Sequence, residues 1–138
     1  MIMTKLLVAL AILSVNAPVG AQTYPPLQRQ SVLEAKLPAA NPTVRLVRGA
    51  HIRFAPGQPT GLHLHPASTV GVVTEGSFVF QPEGERRRIL HVGDSFFEPA
   101  RHRILHFDNV SRTRSAAITL FYLTDTASRP LIDLLPGK

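Results

Sequence analysis

Short apolar runs separated by turn residues are the feature that most restricts how this chain can fold. From Val44 onward these runs alternate with Gly, Pro, Asn and Asp at intervals of about 8–12 residues, which is typical of antiparallel sandwiches and barrels. The chain has 12 prolines and 9 glycines, spread along its length. Because both residues disfavour helix interiors, this distribution excludes an all-helical bundle. The sequence therefore predicts an all-β, antiparallel fold.

The predicted strands follow the apolar runs. They are Val44–Phe54, Leu62–Val73, Ser77–Phe80, Arg87–Val92, Ser95–Phe97, Arg103–Phe107 and Ala116–Leu123. Near the end of the chain, Leu131–Leu135 is predicted as either an edge strand or one helical turn. Before the first strand, Ser31–Leu37 is predicted as a short helical turn in an otherwise irregular arm.

The first residues have the layout of a secretory signal peptide. Lys5 precedes the apolar run Leu6–Val15, and the small residues Gly20 and Ala21 suit a cleavage site. The run is shorter than the roughly 20 apolar residues that span a bilayer, so we predict no stable membrane anchor. We predict cleavage after Ala21, with Ala17 as the second choice, and a mature protein in the periplasm or secreted. The alternative interpretation of the run is an ordinary buried helix.

The chain without this leader has the size of one ordinary domain. We predict a signal peptide over residues 1–21, an N-terminal arm over 22–43, a barrel over 44–125 and a C-terminal tail over 126–138.

Composition excludes several classes of function. The chain has no cysteine, so disulfides, thiolate metal sites and a cysteine nucleophile are excluded. Its formal net charge is +6, and its basic run, Arg86–Arg88, lies in a predicted hairpin. A nucleic-acid-binding chain would combine a basic stripe with aromatic residues or a known reading motif. We interpret the run as a solvated strand edge and predict no nucleic-acid partner.

His63 and His65 are the strongest indication of chemistry in the sequence. On a strand, residues at this spacing project from the same face, about 6.5–7 Å apart along the chain. Both imidazoles can then converge on one ion, while Leu64 faces the other way. Histidine is the commonest metal ligand in proteins. The pair alone remains weak evidence, because a strand histidine can simply be hydrogen-bonded.

The surroundings of this pair resemble the two sequence motifs of the cupin superfamily. The residues in register with these motifs are His63, His65, Gly76, Gly93 and Pro99. The resemblance covers roughly Val44–Leu123 and is closest to small single-domain bacterial cupins of the quercetin-dioxygenase-like kind. It implies an antiparallel jelly-roll barrel with a metal ion in its lumen.

The chain departs from the family pattern within this implied metal site. The family's glutamate ligand would fall on Thr69, its third histidine would fall on Ile104, and the turn at Pro99–Arg101 lacks the family glycine. We favour His102 as the third ligand, because a shortened turn would bring it to the mouth of the barrel. The alternatives are His106, or neither histidine.

Strand parity connects the two candidates. His102, Ile104 and His106 would share one face of the predicted strand, so both histidines face the lumen if either does. The predicted site holds one divalent ion (Fe, Mn, Ni or Zn) on three histidines. Neutral imidazoles would leave the full charge of the ion, which favours a substrate with anionic oxygens. Three protein ligands also leave room for a bidentate substrate beside dioxygen.

Thr69 and Gly71 are the predicted substrate-binding residues. They share the strand face of the histidine pair, and the missing side chain of Gly71 would leave space below the ion.

These features predict an exported metal-binding cupin acting as a dioxygenase-like or isomerase-like enzyme on an oxygen-rich small molecule. Whether it is an enzyme stays open, because a non-catalytic cupin that binds or senses a small ligand fits the same residues. A third alternative is a structural sandwich with incidental histidines. A homodimer formed through an apolar edge strand is an open alternative to a monomer.

Overall fold

The computed structural model describes residues 25–137, which form β-strands and loops without a helix in that range. Its strands are β1 Leu46–Phe54, β2 His63–Leu64, β3 Thr69–Glu75, β4 Ser77–Pro82, β5 Arg88–His91, β6 Ser95–Glu98, β7 Ile104–Asn109, β8 Ala116–Thr124 and β9 Asp133–Leu134. All of their pairings are antiparallel. The prediction of an all-β, antiparallel fold is confirmed.

The strands form two sheets. One has four strands in the order β1-β8-β3-β6, and the other has five in the order β5-β4-β7-β2-β9. Strand β2 is short and lies between β7 and β9, so its histidine is held between two neighbours. Strand β6 is the edge neighbour of β3 in the other sheet.

Aromatic side chains fill the core between the sheets. In β4, Phe78 and Phe80 are fully buried while Val79 between them is only half-buried, as the alternation of a strand requires. The ring of Phe107 packs against those of Phe78 and Phe96, with centroids 5.1 and 4.9 Å apart. Each buried side chain of this size contributes about 1.5–3 kcal/mol to folding. This cluster joins strands of both sheets.

Several predicted elements have different bounds in the structure. Residues 31–37 contain no helical turn and are exposed throughout. The predicted strand Leu62–Val73 is divided, because β2 ends at Leu64 and β3 begins at Thr69. Pro66 lies in this break and has no N–H for a strand ladder. At the end of the chain the edge-strand alternative holds, since β9 pairs with β2.

The turn between β3 and β4 requires glycine. Gly76 has a φ of 70°, and a Cβ atom there would lie 2.8 Å from the Cβ of Ala116. Both the left-handed backbone and the close approach exclude a side chain at this position.

The predicted signal peptide over residues 1–21 lies outside the described residues and stays a prediction. In the part of the chain from 25 to 137, no helix has the length and apolar character needed to cross a membrane.

Candidate metal centre

His63 and His65 are buried where β2 ends. Their exposed fractions are 1% and 4%, and their ring centroids lie 5.1 Å apart. Leu64 between them is only half-buried. The alternation of the strand therefore turns both imidazoles to the interior.

Backbone carbonyls fix the orientation of both rings. The Nδ1 atom of His63 lies 2.7 Å from the oxygen of Gly61, and that of His65 lies 2.6 Å from the oxygen of Leu131. Because a carbonyl oxygen can only accept, each Nδ1 carries a proton and donates. In each ring it is therefore Nε2 that faces the interior, which is the arrangement of metal-ligating histidines.

Glu98 joins this pair from the end of β6. It is 2% exposed, and its Oε2 lies 3.0 Å from Nε2 of His65 while its Oε1 lies 3.5 Å from Nε2 of His63. Thr69, its cross-strand partner on β3, donates its hydroxyl to Oε2 at 2.7 Å. Among the described residues, His63, His65 and Glu98 place their ligand atoms within 4.8 Å of one another.

The charge of Glu98 is the dominant electrostatic feature of the group. Burial acts to raise its pKa, but the closely placed imidazoles of His63 and His65 prevail and lower the pKa from 4.5 to about 2. For His65, burial acts to lower the pKa, whereas the bond to Glu98 and its charge raise the pKa overall. Glu98 Oε1 has no hydrogen-bond partner in the part of the chain that the structure describes. A buried carboxylate of this kind needs a positive charge beside it, which a protonated imidazole or a metal ion can supply.

The residues present fit a divalent ion. Ligand atoms about 2.0–2.2 Å from one ion, at octahedral to tetrahedral angles, stand about 3.0–3.5 Å apart. The two distances between the Glu98 oxygens and the imidazole nitrogens, 3.0 and 3.5 Å, match this range. Two imidazoles and one carboxylate are suitable donors for Fe, Mn, Ni or Zn. A cavity of about 230 Å³ reaches all three side chains and gives a small molecule access to them.

His102 and His106 lie outside this group, so the structure does not bring together the three-histidine set that the sequence predicted. Nε2 of His102 donates to the backbone oxygen of Glu83 at 2.8 Å. Nδ1 of His106 donates to Asp108 at 2.7 Å, and its Nε2 accepts from Arg87 at 2.8 Å. Both nitrogens of His106 are therefore engaged at the surface.

A β-bulge explains why the parity argument failed. Strand β4 pairs Gln81 with His106 but Pro82 with Ile104, so Leu105 is an extra residue on β7. A bulge of this kind interrupts the alternation of faces. As a result Ile104 is fully buried, whereas the side chain of His106 is 38% exposed.

Ile104 occupies the position that the resemblance gives to a third histidine. It is the cross-strand partner of His63 and has no exposed surface. An apolar side chain thus stands beside the group where a ligand was implied, and Glu98 supplies the third donor from another strand.

Thr69 and Gly71, the predicted substrate-binding residues, do not line the cavity. Thr69 is fully buried and bonds to Glu98. At Gly71 an added Cβ would overlap Cζ of Phe96 and would lie 2.8 Å from the oxygen of Thr119. The space that we predicted for substrate is filled by the Phe96 ring.

Glu98 is the residue that sequence reasoning missed. A signal for it was present, because Glu98 shares the inner face of β6 with Phe96, which is 1% exposed. A lone carboxylate on an apolar strand face is seldom left without a partner.

Comparison with known protein families points to the same fold. A family model described as "Cupin domain" matches residues 50–121. No curated protein matches the chain.

Three solved structures illustrate the likeness. An oxalate oxidase in complex with the substrate analogue glycolate has 24% identity and a TM-score of 0.56, over 64% of this chain and 46% of that one. The DMSP lyase DddQ from Ruegeria pomeroyi DSS-3 has 23% identity and a TM-score of 0.55, over 64% and 42%. A cupin-like protein from Thermotoga maritima has 25% identity and a TM-score of 0.52, over 64% of each chain. The match thus spans less than half of the first two proteins and concerns the fold.

Proposed function

Because this chain belongs to the cupin domain family, we propose that it is a metal-dependent protein in which His63, His65 and Glu98 hold one divalent cation. A small organic molecule would bind beside the cation in the cavity. The observation that carries the proposal is the buried Oε1 of Glu98, which has no hydrogen-bond partner among residues 25–137 and faces two oriented imidazoles.

The arrangement exceeds what a structural ion pair needs. One protonated histidine would neutralise Glu98, yet two imidazoles converge on it and each Nδ1 is fixed by a carbonyl. Buried ion pairs add little net stability, because desolvation offsets their attraction. A cavity that reaches these groups is also of no use to a structural pair, whereas it is required for a ligand.

The donor set supports chemistry at the ion. Two histidines and one carboxylate leave open positions on an octahedral ion, as in non-heme iron oxygenases, and the bound ion would supply Lewis acidity. Among the described lining residues, His63, His65 and Glu98 are the titratable ones. The chain itself would therefore bind and orient the ligand. We propose dioxygenase-like or isomerase-like chemistry on this basis.

A non-catalytic cupin that binds or senses a small ligand is the second candidate. Thr69 and Ile104 stand where the family pattern has a glutamate and a histidine ligand. The loss of these two family ligands is the observation that favours binding without turnover.

Metal content and oxygen uptake test these two candidates. We expect about one divalent ion per chain in protein purified from its native compartment, measured by elemental analysis. Metal-free protein from that source would contradict both candidates. Oxygen consumption or isomerisation by the loaded protein supports the enzyme, and tight ligand binding without turnover supports the sensor.

We also propose that the protein is exported, which the charged, apolar and small-residue segments of residues 1–21 support. N-terminal sequencing of protein from the periplasm or medium should begin at Gln22. Retention of Met1 in cytoplasmic protein would contradict export.

A further inference from the structure

The cavity beside the proposed ion has a largely apolar wall. The apolar lining residues are Ile52, Phe54, Pro59, Phe107, Ile118 and Leu120. They come from β1 and β8 of one sheet, β7 of the other, and the loop before β2. A ligand body in contact with this wall would gain most from being apolar itself.

The remaining polar groups of the cavity offer little to a charged ligand. The hydroxyl of Thr60 already donates to the backbone oxygen of Phe107 at 2.8 Å. Oε1 of Gln58 accepts from the N–H of Ala55 at 2.8 Å, which leaves the Gln58 NH₂ group to contact one polar substituent. No lysine or arginine of the described residues lines the cavity, despite the basic composition of the chain.

The charge of the site limits the charge of its ligand. With Glu98 ionised and two neutral imidazoles, a divalent ion keeps one uncompensated positive charge. One anionic oxygen of a ligand neutralises that charge. A second anionic group against the apolar wall would have no cation beside it, which is disfavoured.

The volume of the cavity limits the size of the ligand. It measures about 230 Å³, whereas an apolar cavity of about 150 Å³ is sufficient for benzene. The space therefore suits one ring with a few further heavy atoms, or a short chain.

From these limits we propose that the ligand is a small monoanion with a chelating oxygen head and an apolar body of one ring or a short chain. This replaces the oxygen-rich molecule that the sequence predicted. The inference rests on the proposed function, because the head group needs the ion.

Three probes with the same α-hydroxycarboxylate head test the nature of the body. Glycolate has no body, mandelate carries a phenyl ring, and malate carries a second carboxylate. Calorimetric titration of the Zn²⁺-loaded full-length chain should show mandelate binding about tenfold or more tightly than glycolate. Malate should bind no more tightly than glycolate. Mandelate binding no more tightly than glycolate or malate would overturn the proposal.

A pair of variants on β1 tests whether this cavity is responsible. Ile52 faces the cavity, and His51 next to it is exposed on the opposite face of the strand. Ile52→Phe should weaken mandelate about fivefold or more by filling space, and should leave glycolate within about twofold. His51→Phe adds the same ring outside the cavity and should change neither affinity. Unchanged mandelate affinity in Ile52→Phe would overturn the assignment.

Zinc content of the same samples distinguishes failure of the proposed function from failure of the proposed ligand class. Protein that binds no zinc at His63, His65 and Glu98 would overturn the proposed function and the ligand class with it. Protein that binds zinc there but does not prefer mandelate overturns the ligand class alone.

Discussion

The chain holds two pairs of histidines in opposite surroundings. His63 and His65 are buried, oriented by backbone carbonyls and directed at the Glu98 carboxylate. His102 and His106 lie at the surface and bond to nearby polar groups. The comparison shows that a histidine becomes a candidate ligand through what fixes its Nδ1 and what faces its Nε2. Position in a sequence motif alone does not decide this.

The largest expected effect is on metal binding in Glu98→Gln. The amide keeps the shape of the side chain but removes the charge and one ligand oxygen, so metal affinity should fall roughly 100-fold or more. Competition with a chromophoric chelator measures this change. Glu83→Gln is the matched control, because Glu83 is an exposed glutamate near His102. Wild-type metal affinity in Glu98→Gln would show that Glu98 is not a metal ligand.

A smaller effect is expected for Thr69→Val. This change removes the hydroxyl that bonds to Glu98 at 2.7 Å while keeping the shape of the side chain. Substituting a residue that orients a metal ligand lowers metal affinity by about 10–100-fold, and we expect the lower end of that range. Thr124→Val, at another buried threonine of the same sheet, is the control for loss of a hydroxyl. Equal affinity in the two variants would show that Thr69 does not position Glu98.

The smallest effects on metal affinity are expected for substitutions of His102 and His106. His102→Ala and His106→Ala should leave metal affinity within about twofold, since neither ring is in the buried group. Loss of the partly exposed His106–Asp108 contact should lower the free energy of unfolding by less than about 1 kcal/mol. Thermal unfolding and the chelator assay on the same samples test both statements. A tenfold loss of metal affinity in either variant would instead support a site that includes that histidine, as the sequence predicted.

The fold was predictable from sequence because its signals are local. Apolar runs bounded by turn residues locate the strands, and Gly76 marks a turn that only glycine fits. The orientation of His63 and His65 also follows from spacing along one strand. These features depend on residues that are neighbours in the chain.

The third ligand was not predictable in the same way, because it depends on register between strands. The bulge at Leu105 turns His106 outward, and no residue pattern in β7 predicts this bulge. Glu98 meets the histidines through the pairing of β6 with β3, opposite Thr69. A carboxylate at the end of an apolar strand indicates burial, but its partners are known only once the sheets are assembled.

The location of the ion is the most direct test of this account. Crystals of the metal-loaded protein, measured at the absorption edge of the metal, should give one anomalous peak about 2.0–2.3 Å from Nε2 of His63, Nε2 of His65 and an oxygen of Glu98. A peak bound instead to His102 or His106, or none near Glu98 in fully loaded protein, would contradict it.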